Sequence, residues 1–374
     1  MPPGTDAASP HVAFFLPHLG GGGTEKMVAT LGNGLSALGY RVDMVVVQAR
    51  GVYLESLAEE IRVIDLHARN SYLAVPGLMR YLQQRRPDVL VSALSLTNVL
   101  ALIAARLAGS RCRVAVRIES TASAQHRVPW KKALEKPLLS WVYPWADRII
   151  AVSHAVAEDA SQYLGIAASR INVIYNPVLP DAPAAAESNR PDHPWFGEGC
   201  LPVILAVGRL VPVKDFPTLL RAFALLRANH PAHLLILGEG EERDPLLLLA
   251  QQLGLADDFQ LGGFVKDVPA YMRHSTIFAL SSLYEGLPTA LIEALASGCA
   301  VVSTDCPGGS REILADGAYG ELVPVGDPDA LAAAFRLSLS GERKMVAQAW
   351  LDQFKLGRVL QQTIRVLGLP ALEK

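Results

Sequence analysis

The chain reads Val203-Ile204-Leu205-Ala206-Val207-Gly208-Arg209-Leu210-Val211-Pro212-Val213-Lys214-Asp215-Phe216. The first five residues are aliphatic, and a short aliphatic run bounded by turn residues predicts a buried β-strand. Gly208 and Pro212 mark a turn, after which apolar residues recur at helical spacing over 215–228. A buried strand followed by a helix is the repeating unit of a parallel sheet covered by helices, which predicts an α/β fold.

The same alternation extends through both halves of the 374-residue chain. Strands are expected at 11–16, 42–47, 61–64, 88–92, 113–117 and 148–152, and again at 203–207, 233–237, 258–261, 277–280 and 300–303. Helices are expected at 24–38, 74–85, 97–108, 131–145 and 154–163, and again at 215–228, 244–253, 268–272, 288–297, 328–339 and 343–367. The alternation stops at 180–200, where prolines and polar residues replace the apolar runs.

We therefore expect two Rossmann-like β/α/β domains that face each other across a cleft. The first domain covers 1–180, a linker covers 181–200, and the second domain covers 201–342. The helical pattern within 343–374 is expected to pack back on the first domain. Ligands of open parallel sheets bind at the carboxyl ends of the strands, near helix N-termini, so site residues are expected there.

Composition excludes several classes of protein. The chain is 51% hydrophobic and 19% charged with a net charge of -2, which excludes a disordered chain and a globally basic nucleic-acid binder. Its four cysteines form no Cys-x-x-Cys pair, so neither a disulfide framework nor a structural zinc site is expected. Cysteines without a disulfide pattern suit a reducing cytosol as the compartment. No apolar run reaches the roughly 20 residues of a spanning helix, so we expect a soluble or at most peripheral protein.

Charge is distributed unevenly between the two halves. Residues 1–180 carry a net charge of +5 and residues 181–374 a net charge of -7. The segment 127–145 combines basic residues with four aromatic ones, namely Trp130, Trp141, Tyr143 and Trp145. Such a basic aromatic segment suits peripheral contact with an anionic membrane, at the inner face of the cytoplasmic membrane. The alternative is a solvated helix face above core aromatic residues.

Two turns that follow strands suit the binding of an anion. The first is Leu19-Gly20-Gly21-Gly22-Gly23-Thr24-Glu25, where glycines allow close approach of the backbone at a helix N-terminus. It matches neither the dinucleotide-binding fingerprint nor a P-loop. The second contains Arg209 and Lys214, whose two cations can neutralise a diphosphate without a metal ion. The alternative for the second turn is two surface cations, with Asp215 as a helix cap.

A third motif places two carboxylates eight residues apart, in Tyr284-Glu285-Gly286-Leu287-Pro288-Thr289-Ala290-Leu291-Ile292-Glu293. Glu285 is expected in a loop and Glu293 on a helix that begins near Pro288, as an N1-type proline. Amides at that helix start can bind phosphate or sugar oxygens, and carboxylates pair well with ribose or hexose hydroxyls. A salt-bridged helix glutamate is the alternative for Glu293.

One sequence could suggest a metal site. Asp327-Pro328-Asp329 is an Asp-x-Asp pattern, but it also reads as an N-cap, an N1 proline and a first-turn acid. We interpret it as the start of a helix. No metal ion and no cofactor is therefore expected.

Together these motifs resemble the retaining GT-B glycosyltransferases of family 4, the glycosyl transferases group 1. Gly-Arg-x4-Lys is followed by Glu-x7-Glu, and the order is completed by three further landmarks: Ala151-Val152-Ser153, Tyr175-Asn176-Pro177 and Gly238-Glu239-Gly240. The resemblance covers nearly the whole chain. It implies a donor-binding second domain, an acceptor-binding first domain and a nucleoside diphosphate sugar, more commonly a uridine one, as co-substrate.

The resemblance also implies roles for individual residues. Arg209, Lys214 and Glu285 would be catalytic, with the two cations on the diphosphate and Glu285 on the hexose hydroxyls. The remaining donor-binding residues would be Gly22, Gly23, Phe264, Val265, Gly286, Leu287, Pro288, Thr289 and Glu293, of which Glu293 would bind the ribose. A leaving phosphate oxygen that takes the acceptor proton would give retention without an enzyme nucleophile, although double displacement through Glu285 is the formal alternative.

One departure concerns the acceptor side. Many family members carry a histidine after the strand that corresponds to 113–117, where this chain has Arg117 and Glu119, with His126 further on. Either Glu119 replaces that histidine or none is needed. The expected product is bacterial cell-surface polysaccharide or glycolipid on a glycan or lipid-linked glycan acceptor. A non-hydrolysing nucleotide-sugar epimerase and a catalytically silent scaffold subunit are the alternative functions.

Overall fold

The computed structural model describes residues 9–124, 129–182, 190–341 and 343–372, and of 129–134 the backbone alone. The chain forms two compact units, one made of Met1–Pro177 with Phe354–Lys374 and the other of Val178–Gln353. The chain therefore enters the second unit at 178 and leaves it at 353, later than the expected boundary at 342. Within the described ranges, no helix is both long and apolar enough to cross a membrane.

The first unit contains a parallel seven-stranded sheet in the order β3-β2-β1-β4-β5-β6-β7. Its strands are β1 (His11–Leu16), β2 (Arg41–Val46), β3 (Arg62–Asp65), β4 (Val89–Ala93), β5 (Arg113–Ile118), β6 (Arg148–Ala151) and β7 (Ile171–Val173). Its first helices are α1 (Gly23–Ala37), α2 (Val75–Arg85), α3 (Ser95–Leu107), α4 (Pro129–Val142) and α5 (His154–Leu164). Aliphatic strand residues with no exposed surface form the core, as the sequence predicts for a sheet covered on both faces.

The second unit contains a parallel six-stranded sheet in the order β10-β9-β8-β11-β12-β13. Its strands are β8 (Val203–Val207), β9 (His233–Leu237), β10 (Phe259–Gly263), β11 (Ile277–Leu280), β12 (Ala300–Thr304) and β13 (Glu321–Val323). Its helices are α6 (Phe216–Arg227), α7 (Arg243–Gln252), α8 (Val268–His274), α9 (Thr289–Ala296), α10 (Ser310–Ile313), α11 (Pro328–Ser340) and α12 (Gln348–Leu351). Because strand order reverses between β8 and β11, their carboxyl ends form the switch point where such sheets bind ligands.

The last helix, α13 (Leu356–Leu367), belongs to the first unit and packs on α1. Gly34 of α1 makes this contact close, because a Cβ there would lie 2.6 Å from Cδ1 of Leu360. The expected continuous helix over 343–367 is wrong. Lys355 adopts extended backbone before α13, and a 3-10 turn at Asp352–Phe354 separates α13 from α12.

Short elements account for the other differences from the sequence prediction. The three-residue strands β7 and β13 and the four-residue helix α10 are too short to produce a periodic pattern. The expected helix 131–145 ends at Val142 and continues as a 3-10 turn, Tyr143–Trp145. Part of the expected linker is packed, since the ring of Trp195 stacks on His233 at 4.2 Å and Phe196 is buried.

Candidate active site

An ion pair between Lys214 and Glu285 lies at the switch point of the second sheet. Lys214 Nζ is 2.6 Å from Glu285 Oε1, and the two side chains are 20% and 14% exposed. Lys214 ends the 3-10 turn Pro212–Lys214 after β8, and Glu285 lies in the loop after β11. The sequence predicts both residues as site residues, and the fold brings them into direct contact.

Two serines at the end of β11 hold this pair. Ser281 Oγ donates a hydrogen bond to the backbone oxygen of Lys214 at 2.7 Å. Ser282 Oγ donates to Glu285 Oε1, also at 2.7 Å. The backbone oxygen of Ser282 in turn accepts a 2.7 Å hydrogen bond from Thr304 Oγ1 at the end of β12. The positions of the lysine backbone and of the glutamate carboxylate are therefore tied to the ends of two neighbouring strands.

The loop after β12 fixes the backbone of Glu285. The Glu285 amide donates to Pro307 O at 2.9 Å, and the Gly309 amide donates to Gly286 O at 2.9 Å. Gly308 has φ +127°, and a Cβ there would lie 2.1 Å from Glu285 O. Only glycine adopts this conformation readily and leaves room for the carbonyl, so the loop depends on Gly308.

Arg209 lies in the turn after β8, as expected. Its side chain is exposed and makes no ion pair or hydrogen bond with any described residue, so it is available to a ligand. A glycine turn supports the backbone beneath it. Cβ atoms at Gly238 and Gly240 would lie 1.9 Å from Gly208 O and 2.3 Å from Leu210 O, so that turn packs directly on the Arg209 turn.

The helix α9 begins one residue later than the sequence indicates. Pro288 is the N-cap, and Thr289 is the first helical residue. Glu293 lies in α9 and is half-buried, while Leu287 and Pro288 are buried beside it. The expected phosphate-binding helix start and the expected ribose-binding carboxylate therefore belong to one element. Asp215 occupies the N-cap position of α6 with φ +45°, but its carboxylate makes no capping hydrogen bond, so the alternative of a side-chain cap is wrong.

The expected base-binding residues follow the end of β10. The side chain of Phe264 is 76% exposed, which is unusual for a large apolar ring, and Val265 is half-buried. Gly263 has φ +69° and its carbonyl accepts a hydrogen bond from the Gly238 amide at 2.8 Å. This bond connects the segment to the turn beneath Arg209.

Neither the Cys306 thiol nor the Asp327–Asp329 sequence adds chemistry to the second unit. Burial raises the pKa of the Cys306 thiol to about 11, so this cysteine is neutral and unreactive at pH 7. Asp327 is confirmed as a helix cap, because its carboxylate accepts a 2.9 Å hydrogen bond from the Ala330 amide. Among the residues with described side chains, no three His, Cys, Asp or Glu side chains are grouped so as to hold a metal ion.

In the first unit the glycine-rich turn opens α1. Gly22 is the N-cap, and no side chain caps the helix. A Cβ at Gly23 would meet nothing within 4 Å, so the space above this residue is open. Gly51, with φ +122°, supports the turn from below, since a Cβ there would lie 1.9 Å from Leu19 O.

The expected acceptor-side residues Arg117 and Glu119 form a buried ion pair at the end of β5. Arg117 is 1% exposed, and its Nε donates to Glu119 Oε1 at 2.9 Å. Its Nη2 donates to Asn176 Oδ1 at 2.8 Å, while Nη1 has no partner among the described residues. Asn98 Nδ2 donates to the backbone oxygen of Arg117 at 2.8 Å. His126 lies outside the described residues.

Sequence reasoning missed the residues that support the site. Ser281, Ser282 and Thr304 carry no motif that stands out by itself, and Gly308 is one of 30 glycines. A usable signal did exist. All four lie at or just after the carboxyl ends of buried strands, where polar side chains and paired glycines are expected to serve a ligand site.

Comparisons with known proteins identify the families that this chain resembles. Residues 194–349 match the family described as glycosyl transferases group 1, and residues 21–182 match the family described as glycosyltransferase family 4. One relative is the N-acetylgalactosamine-N,N'-diacetylbacillosaminyl-diphospho-undecaprenol 4-alpha-N-acetylgalactosaminyltransferase of Campylobacter jejuni. It is 30% identical over 347 residues, which cover 89% of this chain and 91% of the relative.

A second relative and a solved structure extend the comparison. A second C. jejuni protein is an alpha-1,4-N-acetyl-D-galactosaminyltransferase named for a diphospho-undecaprenol-linked glycan. It is 26% identical, and the match covers 96% of this chain and 98% of that protein. The crystal structure of Anabaena HepE in complex with UDP and glucose has a TM-score of 0.78 at 20% identity, covering 96% of this chain and 99% of HepE. That likeness shows that the two Rossmann-like units have the GT-B fold.

Proposed function

The chain belongs to the family 4-type GT-B glycosyltransferases, and we propose that it moves a hexose or N-acetylhexosamine from a nucleoside diphosphate sugar to a glycan acceptor. One observation carries this proposal. The 2.6 Å pair of Lys214 and Glu285 puts a cation for phosphate and a carboxylate for sugar hydroxyls side by side at the switch point.

The leaving group is the chemical problem that this site addresses. Departure of a nucleoside diphosphate develops negative charge, which Arg209, Lys214 and the free amides at the start of α9 stabilise. Glu293 binds the ribose, and Glu285 binds hydroxyls of the hexose. With two cations and a helix N-terminus on the diphosphate, the reaction needs no metal ion. Unchanged turnover after treatment with a chelator is the expected result.

The stereochemical course is retention. The acceptor hydroxyl attacks from the face that the leaving group departs from, and the departing phosphate oxygen takes its proton. No enzyme nucleophile is then needed, and double displacement through Glu285 is the formal alternative. The anomeric configuration of the product, read from its proton coupling constant, tests this course.

The donor is a UDP-sugar and the acceptor a lipid-linked glycan of bacterial cell-surface polysaccharide or glycolipid synthesis. The names of both C. jejuni relatives, which contain diphospho-undecaprenol, support the acceptor. HepE, solved with UDP and glucose, supports the donor. We assign Arg117 and Glu119, which form a buried ion pair, to the acceptor side from the family resemblance.

Proton NMR with a panel of uridine and guanosine diphosphate sugars, without acceptor, tests the donor and the reaction class together. Slow loss of one donor's anomeric signal, with free nucleoside diphosphate appearing, is the expected result. A new anomeric signal with the nucleotide still attached would identify an epimerase.

The acceptor side also contacts an anionic membrane, at the inner face of the cytoplasmic membrane. In the described part of the basic aromatic segment, Trp141 is 64% exposed and Leu138 is 42% exposed. The rings of Trp141 and Trp145 are 4.6 Å apart, and the Arg106 guanidinium lies 4.8 Å above Trp145. Exposed aromatic rings combined with cations suit the interface of an anionic bilayer.

Liposome sedimentation tests this contact. Wild-type protein should sediment with vesicles that contain anionic lipid at low salt, and Trp141→Ala should reduce the bound fraction severalfold. Leu248→Ala is the matched control, because Leu248 is 57% exposed on α7 of the other unit. Equal binding by both variants would contradict the assignment of this surface.

A further inference from the structure

Ser282 is a fully buried residue whose side chain touches the sugar-side carboxylate. It has no exposed surface, and its Oγ donates to Glu285 Oε1 at 2.7 Å. A hydrogen bond between a buried hydroxyl and a carboxylate is charge-assisted and therefore stronger than a neutral one. None of the sequence motifs includes this residue.

The position of Ser282 is set by the sheet. Ser282 follows the end of β11, and its carbonyl accepts a 2.7 Å hydrogen bond from Thr304 at the end of β12. Thr304 has no exposed surface either. The hydrogen-bond donor to Glu285 is therefore the short side chain of Ser282, on backbone that neighbouring strands hold in place. By contrast, the ammonium group of Lys214 is carried by a flexible four-carbon stem.

Both donors converge on one oxygen of the carboxylate. Lys214 Nζ and Ser282 Oγ lie 2.6 Å and 2.7 Å from Oε1. Oε2 accepts no hydrogen bond from any described residue, although the side chain remains 14% exposed. An ionised carboxylate has about four lone-pair positions, so Oε2 is available to a ligand hydroxyl.

We propose that Ser282 is a positioning residue, which fixes the Glu285 carboxylate so that Oε2 faces the hydroxyls of the transferred sugar. The proposal rests on the proposed function of Glu285. Its physical basis is that Lys214 shares its three donor hydrogens between Glu285 and the diphosphate once the donor is bound. The Ser282 hydroxyl then remains the hydrogen-bond donor that serves the Glu285 carboxylate alone.

The test compares two buried serines on either side of β11. Ser282→Ala removes the hydroxyl next to Glu285. Ser275→Ala is the control, because Ser275 is 2% exposed and its hydroxyl donates at 2.7 Å to the Tyr271 backbone, before the other end of the strand. Both variants are measured for turnover of the nucleotide sugar, for affinity toward the free nucleoside diphosphate and for thermal midpoint.

A split between these readouts is the expected result. Ser282→Ala should lower turnover of the nucleotide sugar about tenfold, the range of a hydrogen bond to a charged group, with nucleoside diphosphate affinity within about twofold of wild type. Ser275→Ala should leave turnover within about twofold. Equal turnover in both variants would overturn the proposal, and so would a parallel loss of turnover and nucleotide affinity in Ser282→Ala.

Two further variants cover loss of folding and indirect effects. Ser282→Cys keeps the size but donates weakly, so its turnover should lie between those of wild type and Ser282→Ala at an unchanged thermal midpoint. In a Glu285→Ala background, Ser282→Ala should have no additional effect, and an additive loss would overturn the proposal. If the wild-type protein turns over no donor, the proposed function fails and this inference fails with it. If the wild-type protein turns over a donor and Ser282→Ala leaves that turnover unchanged, the inference about Ser282 fails while the proposed function stands.

Discussion

Lys214 Nζ and Glu285 Oε1 lie 2.6 Å apart, although 71 positions separate the two residues in the chain. They meet because β8 and β11 are neighbours in the sheet and each strand ends at the same edge. Each residue is held locally by a serine after β11. Both the cation and the carboxylate are thus in place before a donor arrives, which favours electrostatic stabilisation of a leaving group.

Loss of either cation is expected to reduce turnover strongly. Lys214→Ala or Arg209→Ala should lower turnover of the nucleotide sugar about 10²-fold or more, as for other groups that stabilise developing charge. Arg221→Ala, an exposed arginine of α6 in the same unit, is the matched control. Steady-state kinetics with folded variants provide the measurement. Near wild-type turnover in both cation variants would contradict the assignment of Lys214 and Arg209 to the diphosphate.

The two carboxylates of the third motif should separate binding from turnover. Glu293→Ala should weaken affinity for the free nucleoside diphosphate about tenfold, because a hydrogen-bonding partner of the ribose is lost. Glu285→Gln should leave that affinity nearly unchanged and lower turnover of the intact donor. Isothermal titration calorimetry with the nucleoside diphosphate measures the first effect. Unchanged affinity in Glu293→Ala would contradict the ribose role.

Gly308 should be intolerant of any side chain. Gly308→Ala should destabilise the second unit by roughly 2 kcal/mol or more, because φ is +127° and the new Cβ would lie 2.1 Å from Glu285 O. Gly298→Ala is the control, since φ is +73° with nothing within 4 Å, and its cost should be about 1 kcal/mol. Denaturant unfolding measures both values. Similar values for the two variants would show that close approach to Glu285 is not the constraint.

The ion pair of Arg117 and Glu119 should be sensitive to removal of one partner. Arg117→Met should destabilise the first unit by about 3–5 kcal/mol, because it leaves the Glu119 carboxylate buried without its cation. The double variant Arg117→Met with Glu119→Gln should recover much of that loss. Equilibrium unfolding of the single and double variants checks this. An equal loss in both would indicate that Arg117 acts through its bond to Asn176 instead.

Asp43 should make the free energy of unfolding depend on pH in the acid range. Burial raises the pKa of Asp43, but His11 Nε2 at 3.0 Å, a 2.8 Å hydrogen bond from Tyr81 and the charge of Arg41 together hold that pKa below its usual value. A carboxyl group whose pKa is lower in the folded state stabilises the fold at pH values above its unfolded pKa of about 4. This contribution is lost as the pH falls below 4 through the folded value.

Acid titration of unfolding measures this dependence. Wild-type stability should fall more steeply below about pH 4 than the stability of Asp43→Asn, which lacks the titrating group. Glu59→Gln, an exposed acid of the same unit, should keep the wild-type slope. Parallel slopes for wild type and Asp43→Asn would assign the acid sensitivity to other carboxylates.

Regular elements were predictable because their periodicity is local. Strands β8, β9 and β11 fall within the predicted bounds, since buried aliphatic runs between turns leave few other conformations. The prediction of a continuous helix over 343–367 was wrong because it also relied on local periodicity. Apolar spacing persisted there, while the break before α13 is set by how that helix packs on α1.

Residue types and motif order predicted Lys214, Glu285 and Arg209 as site residues and indicated the family. These features depend on chemistry that is written in single residues and short spacings. The hydrogen bonds of Ser281, Ser282 and Thr304, the close passage of Gly308 over Glu285 and the burial of Arg117 could not be obtained that way. The bonds of Ser281 and Thr304 and the passage of Gly308 join segments at the ends of neighbouring strands, while Arg117 bonds to Asn176, which follows β7. Strand order is settled by packing across the whole unit, because no local pattern encodes which strands lie side by side.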